Sequence, residues 1–205
     1  MAAIHTTSQS FTFALYRLAA NPEWILRMRE EVESVVKAEG WTKSAMQKMH
    51  HVDSFLKECQ RCDGIVTINM TRVAMKDYTF SDGTFIPKGT FVSAAVTPMH
   101  NDEEYYADAT VFNPWRFAEL RDGEGESLKH QMASTNKEYL AFGHGKDACP
   151  GRFFATNSLK VMLAHLVLNY DIKFEEEGVL PKSLRIATMH TPNAKAKVLF
   201  RKRQH

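Results

Sequence analysis

A mainly α fold with small antiparallel β-sheets is the class this sequence predicts, and three observations predict it. Apolar residues recur at helical spacing through the first third of the chain. β-Formers punctuated by turn signals follow Gly64, and one long helical run follows Pro150. The 205 residues are enough for one good hydrophobic core, and 44% hydrophobic with 24% charged residues is the balance of a folded globular chain. A formal net charge of +2 makes no electrostatic case for nucleic acid. Three cysteines are too few, and odd in number, for a disulfide framework, so reduced thiols are expected. No apolar run reaches about 18 residues, and MAAIHTTSQS lacks the basic and apolar regions of a signal peptide.

The elements follow in order. Residues 2–19 carry Ile4, Phe11, Leu15 and Leu18 at helical spacing, and Asn21-Pro22 ends that run. The start is abrupt, with no capping residue before Ala2. A second helix begins at Pro22, with Trp24, Ile25, Met28, Val32 and Val35 as its apolar face and Gly40 as its stop. Thr42 suits the cap of a short helix through Met49, and a fourth helix spans about 52–61, with Val52, Phe55, Leu56 and Cys59 on one side. Residues 65–73 and 79–92 read as strands of a small antiparallel sheet, with turns at Ser81-Asp82-Gly83 and Pro87-Lys88-Gly89. A helical turn is expected around 101–106 and a long irregular loop over 118–137. The helix after Pro150 offers Phe153, Phe154, Leu159, Met162, Leu166 and Val167 as its buried side, and short strands fill 169–201.

Two cysteine patterns compete for the chemistry. KECQRCDG places Cys59 and Cys62 at a Cys-x-x-Cys spacing, which suits a redox pair or half of a zinc site, but no second pair exists to complete a zinc set. The third cysteine sits in AFGHGKDACPGRFFA, residues 141–155. Gly143, Gly145 and Gly151 permit tight turns and close backbone approach, and Pro150 suits a first helical turn. Cys149 therefore precedes a long helix, where the N–H groups and the dipole favour a thiolate. A lone thiolate suits a metal whose other ligands come from elsewhere, and haem, with four porphyrin nitrogens and one open axial position, is the obvious case.

Phe142-x-x-Gly145-x-x-x-Cys149-x-Gly151 resembles the haem-binding loop of cytochrome P450, in the style of the fungal enzymes. Glu58-Cys59-Gln60-Arg61 resembles the family's Glu-x-x-Arg helix. Pro114-Trp115-Arg116-Phe117 resembles its Pro-x-Arg-Phe element, and Ala2-Ala3-Ile4-His5-Thr6-Thr7 its oxygen-binding groove, all in the family's order. The resemblance implies the C-terminal half of the cytochrome P450 fold. Residues 1–205 would form a partial P450 domain, running from the central oxygen-binding helix through the haem loop to the C-terminus. The N-terminal half, with the membrane anchor and the lid over the substrate, would be absent, so the chain is expected to be a fragment.

The implied roles are these. Cys149 would be the axial thiolate of haem b, iron protoporphyrin IX, with Phe142, Gly143, Gly145 and Gly151 shaping the loop around it. Arg72 would pair with a haem propionate. Glu58, Arg61 and Arg116 would form an architectural ion network. Thr6, helped by His5, would bind oxygen and pass protons. Two positions depart from the family pattern. His5 stands where an acid is usual before the threonine. Asp147 stands where a propionate-pairing Arg or His is usual, so it would repel that group unless Lys146 compensates. His100 occupies a recurrent family position near the haem edge, although a satisfied structural histidine is the commoner case. Lys146, Arg152 and Lys160 would flank the face that docks an NADPH–cytochrome P450 reductase. The implied reaction inserts one oxygen atom of O2 into a small, lipophilic organic substrate. The full-length family sits on the cytosolic face of the endoplasmic reticulum membrane; this chain, without the anchor, would be cytoplasmic. The alternatives are an inactive remnant of the family, or a small zinc or redox module built on Cys59 and Cys62.

Overall fold

A computed structural model describes residues 2–123 and 125–204, apart from the side chains of residues 2, 3 and 122. The first two side chains of the groove motif, Ala2 and Ala3, therefore lie outside the described residues. Helix α1 (Ala2–Ala20) is followed by α2 (Trp24–Glu39), α3 (Lys43–Lys48) and α4 (His50–Cys62). Gly40 ends α2 at φ +67°, donating its N–H to the Val36 carbonyl at 2.9 Å, in a conformation that costs glycine least. Thr42 caps α3, its hydroxyl accepting from the Ala45 N–H at 3.1 Å.

Helix α4 is the centre of the molecule. It packs against α1, α2 and α7 (Arg152–Asn169) and against the short α6 (Arg116–Glu119). It begins at His50, two residues before the predicted start, and is buried on every side. Val52, Phe55 and Leu56 are joined inside by Asp53, Ser54, Lys57, Glu58 and Arg61. Each buried apolar side chain there contributes about 1.5–3 kcal/mol, and each polar one needs a partner to stay.

The predicted sheet resolves into separate two-stranded ribbons. β1 (Asn69–Val73) pairs antiparallel with β4 (Phe91–Ala94), and β2 (Tyr78–Thr79) with β3 (Phe85–Ile86). Residues 65–68 stay outside the strand, with an isolated bridge from Val66 to Met189. After α5 (Val96–His100), which the sequence did not suggest, hydrogen-bonded turns run through Tyr106. The tail forms β5 (Tyr170–Lys173) paired with β8 (Leu199–Lys202), and β6 (Leu184–Ile186) paired with β7 (Met189–Thr191).

Two expectations need correction. The buried stripe of α7 is Thr156, Leu159, Lys160, Leu163, Ala164 and Val167, a regular i, i+3, i+4, i+7 pattern. Phe153 is 57% and Phe154 74% exposed, and Met162 is exposed too. The helix is apolar on both faces, so composition did not reveal which face turns inward. Ile4 of α1 is likewise exposed. Lys160 is buried and bonded to Asp53 at 3.0 Å, so it does not belong to a surface patch with Lys146 and Arg152. The 118–137 segment is largely irregular, as expected, and it is anchored to α4. A 3₁₀ turn (Leu120–Asp122) opens it, and Arg121 and Met132 are buried where Asp53 receives both the Arg121 guanidinium and the Met132 N–H.

Candidate functional site

The site is built outward from the Glu58–Arg61 pair. One turn of α4 puts both on the same face. Arg61 Nη2 donates to Glu58 Oε1 at 2.7 Å and Nε donates to Oε2 at 2.8 Å, with both side chains fully buried. Arg116 adds its Nε to Glu58 Oε1 at 3.2 Å. The remaining Arg61 protons go to main-chain carbonyls, His100 at 2.5 Å and Ala109 at 2.6 Å. Arg116 serves Ala107 at 2.5 Å and Val111 at 3.1 Å. A three-member ion network thus pins the loop before α6 onto α4.

His100 extends this frame to the cysteine loop. Its Nδ1 lies 3.3 Å from the Arg61 carbonyl, its Nε2 accepts from the Leu140 N–H at 3.1 Å, and its ring stacks on Tyr139 at 5.4 Å. Both nitrogens are engaged, and burial pulls the ring down to about 4, so it is neutral near pH 7. Sequence reasoning gave His100 little weight because its partners are main-chain groups that no motif displays. Beyond Leu140, its carbonyl accepts from Asn69 Nδ2 at 3.0 Å and from the Gly143 N–H at 2.9 Å.

The Cys149 N–H then closes the loop onto the Phe142 carbonyl at 2.8 Å. Gly143 and Gly145 take φ +70° and +71°. A Cβ at Gly143 would meet nothing nearer than 3.8 Å, so it is the backbone conformation, not the space, that selects glycine there. At Gly151 a Cβ would stand 4.0 Å from the Cys149 sulfur. Cys149 is exposed at the end of the loop, with Pro150 and Gly151 between it and the start of α7.

A cavity of about 500 Å³ opens in front of this sulfur. The loop contributes Phe142, Gly143, Asp147, Cys149 and Gly151, and α1 contributes Thr6, Thr7, Ser10 and Phe13. Met70, Arg72, Val96, His100 and Phe154 complete much of the rest. The exposed Phe154, misread as core, thus has a place at the cavity. Of the predicted site residues, Cys149, Phe142, Gly143, Gly151, Arg72 and Thr6 come together here. His5, Gly145 and Lys146 are exposed and are not part of the lining. A larger groove of about 950 Å³ between α1, α3 and α7 is lined by Phe11, Trp41, Val161 and Met162 and holds neither a cysteine nor an arginine.

The paired cysteines of α4 offer no comparable chemistry. Burial pushes the Cys59 thiol well above its ordinary value, and burial with nearby Glu58 pushes Cys62 up to about 12. Among the described residues no group of three or more His, Cys, Asp or Glu side chains is placed to hold a metal ion. Cys59 packs in the core instead.

A helical scaffold that displays one cysteine from a glycine-bearing loop, braced by a buried Glu–Arg–Arg network, defines a P450-type protein. The family model for cytochrome P450 matches residues 1–200, and the chain belongs to that family. Among curated relatives, cytochrome P450 monooxygenase 151 of Postia placenta is 60% identical over 202 residues, 98% of this chain and 41% of that protein. Cytochrome P450 monooxygenase 103 of the same fungus is 50% identical over 201 residues, 98% of this chain and 40% of its own length. Cytochrome P450 monooxygenase CYP512U6 of Ganoderma lucidum is 43% identical over 202 residues, 98% of this chain and 40% of its own length. The chain therefore spans about 40% of the length of these relatives. Haem, which the family implies, suits the residues present: a soft sulfur donor at the mouth of a largely apolar cavity, with an arginine among its lining. No helix among the described residues is long and apolar enough to cross a membrane.

Proposed function

We propose that this chain forms the haem-bearing part of a monooxygenase that places one oxygen atom of O2 into a lipophilic organic substrate, using electrons from NADPH through a reductase. The observation that carries this reading is the exposure of the Cys149 sulfur to a cavity that α1 also lines through Thr6. Haem b, once bound, supplies the one-electron and O2 chemistry. The chain's own residues hold and protect it. Cys149 would hold it through its sulfur. The Cys149 N–H to Phe142 carbonyl bond and the two left-handed glycines hold the sulfur at a set position before α7. Phe13, Val96 and Phe154 supply apolar lining to the cavity in front of the sulfur. Arg72, which lines the cavity, would pair with a carboxylate of the bound group. The Thr6 hydroxyl, at the α1 side of the cavity, accepts and passes a proton. His5 is exposed one residue before it and serves as the donor from solvent.

The region represented is the part of the P450 domain from the oxygen-binding helix through the haem loop. The exposed Lys146 and the partly exposed Arg152 belong to the surface offered to the reductase. In the complete protein that surface would face the cytosol at the endoplasmic reticulum. The test is stoichiometry: the purified chain should take up about one haem, and Cys149→Ser should bind less and lose the sulfur-ligated absorption spectrum. Uptake of zinc in place of haem, or an unchanged spectrum in Cys149→Ser, would overturn the reading.

A further inference from the structure

The strongest unexplained feature of the site is the partner of Arg72. Its Nη2 donates to Asp147 Oδ2 at 2.8 Å and its Nη1 to the Thr71 carbonyl at 2.9 Å. Both members of the ion pair line the same cavity as the Cys149 sulfur. We propose that Asp147 is an internal competitor for the anion seat at Arg72, so that this chain holds haem more weakly than the rest of its site allows. The inference rests on the haem reading above and concerns the affinity of that same site.

Geometry places the competitor at the seat. Asp147 ends the 3₁₀ turn Gly145–Asp147, two residues before the cysteine. The turn is held by the Ala148 N–H on the Gly145 carbonyl at 3.2 Å, and the Cys149 N–H is held on Phe142 at 2.8 Å. The backbone that carries the carboxylate is therefore held close to the sulfur, within reach of Arg72. The pair itself opens easily: the side chains are 51% and 64% exposed, and an exposed ion pair is weakly held. Opening it frees the guanidinium but leaves the negative charge beside it, so an arriving propionate meets an anion as well as a cation. Among the described residues the carboxylate is ion-paired with Arg72. Lys146 is exposed and outside the cavity lining. Arg152 lies over the Phe153 ring at 4.4 Å and donates to the Cys149 carbonyl at 3.0 Å.

The test compares two ligands on the full chain: haem, and haem dimethyl ester, in which both carboxylates are blocked. Asp147→Asn should lower the Kd for haem about tenfold and leave the Kd for the ester unchanged, and added salt should narrow the difference. Asp147→Ala should behave as Asp147→Asn does. Equal haem affinity in all three proteins, or an equal gain with the ester, overturns the competition while leaving the haem reading intact. If none of the three takes up haem with a sulfur-ligated spectrum, the haem reading falls and the competition falls with it.

Discussion

At the scale of single residues, Arg61 is the most constrained side chain of the site. Every arm of its guanidinium is engaged inside the protein. Arg61→Ala would leave the buried Glu58 with Arg116 and the Asn113 N–H and strand two carbonyls, which costs about 3–5 kcal/mol. Denaturant unfolding should show that loss, and haem uptake should disappear with it; normal haem content in this variant would contradict the role. His100 makes a prediction about pH. Burial lowers its folded-state value from the ordinary 6.5 to about 4, so between these values the unfolded chain binds the extra proton. The stability it contributes is complete above about pH 6.5 and is lost as the pH falls towards 4, about 3 kcal/mol in all. Unfolding at pH 7.5 and pH 5 should show much of this slope in the wild type and little of it in His100→Gln; an identical slope in both would contradict it. Cys149, Phe142, Glu58, Arg61 and Arg116 were legible in the sequence because each sits in a spaced motif. His100 and Lys160 were not, since their partners are a main-chain N–H and a carboxylate distant in sequence.

At the scale of elements, local chemistry was read more reliably than facing. The Thr42 cap and the Gly40 stop stand where propensity placed them. Thr42→Ala should cost about 1 kcal/mol through the lost cap, read by thermal or urea unfolding, and no measurable loss would mean that the cap is redundant with packing. The inward face of α7 was misjudged because two of its buried positions, Thr156 and Lys160, are polar and two of its exposed ones are phenylalanines. Its facing is decided by α4: Asp53 draws Lys160 inward, and Phe154 turns to the cavity. The short α5 escaped notice because Pro98 sits within it and the strand-like run before it invited continuation.

At the scale of the whole molecule, one carboxylate joins three distant segments. Asp53 on α4 accepts from Lys160 on α7, from Arg121 and from the Met132 N–H. Burial opposes its ionisation, yet Lys160 and Arg121 hold the carboxyl below its ordinary value. Lys57 lies close by, over the rings of Phe117 and Tyr139 at 4.4 and 4.7 Å. Asp53→Asn would leave buried cations without a counter-charge, a loss of about 3–5 kcal/mol. Hydrogen exchange should then quicken together in the middle of α7 and in residues 120–132; acceleration confined to one of them would contradict the linkage. This centre lies about 68 and 107 positions apart along the chain, and no spacing rule reaches that far.

Cys149 would provide the sulfur ligand of a haem seated between α1 and the cysteine loop. The decisive measurement is to load the purified chain with haem, reduce it and add carbon monoxide. Sulfur ligation by Cys149 predicts a strongly red-shifted Soret band in the wild type and its loss in Cys149→Ser. A carbonyl spectrum without that shift, or the same shift in both proteins, would contradict it.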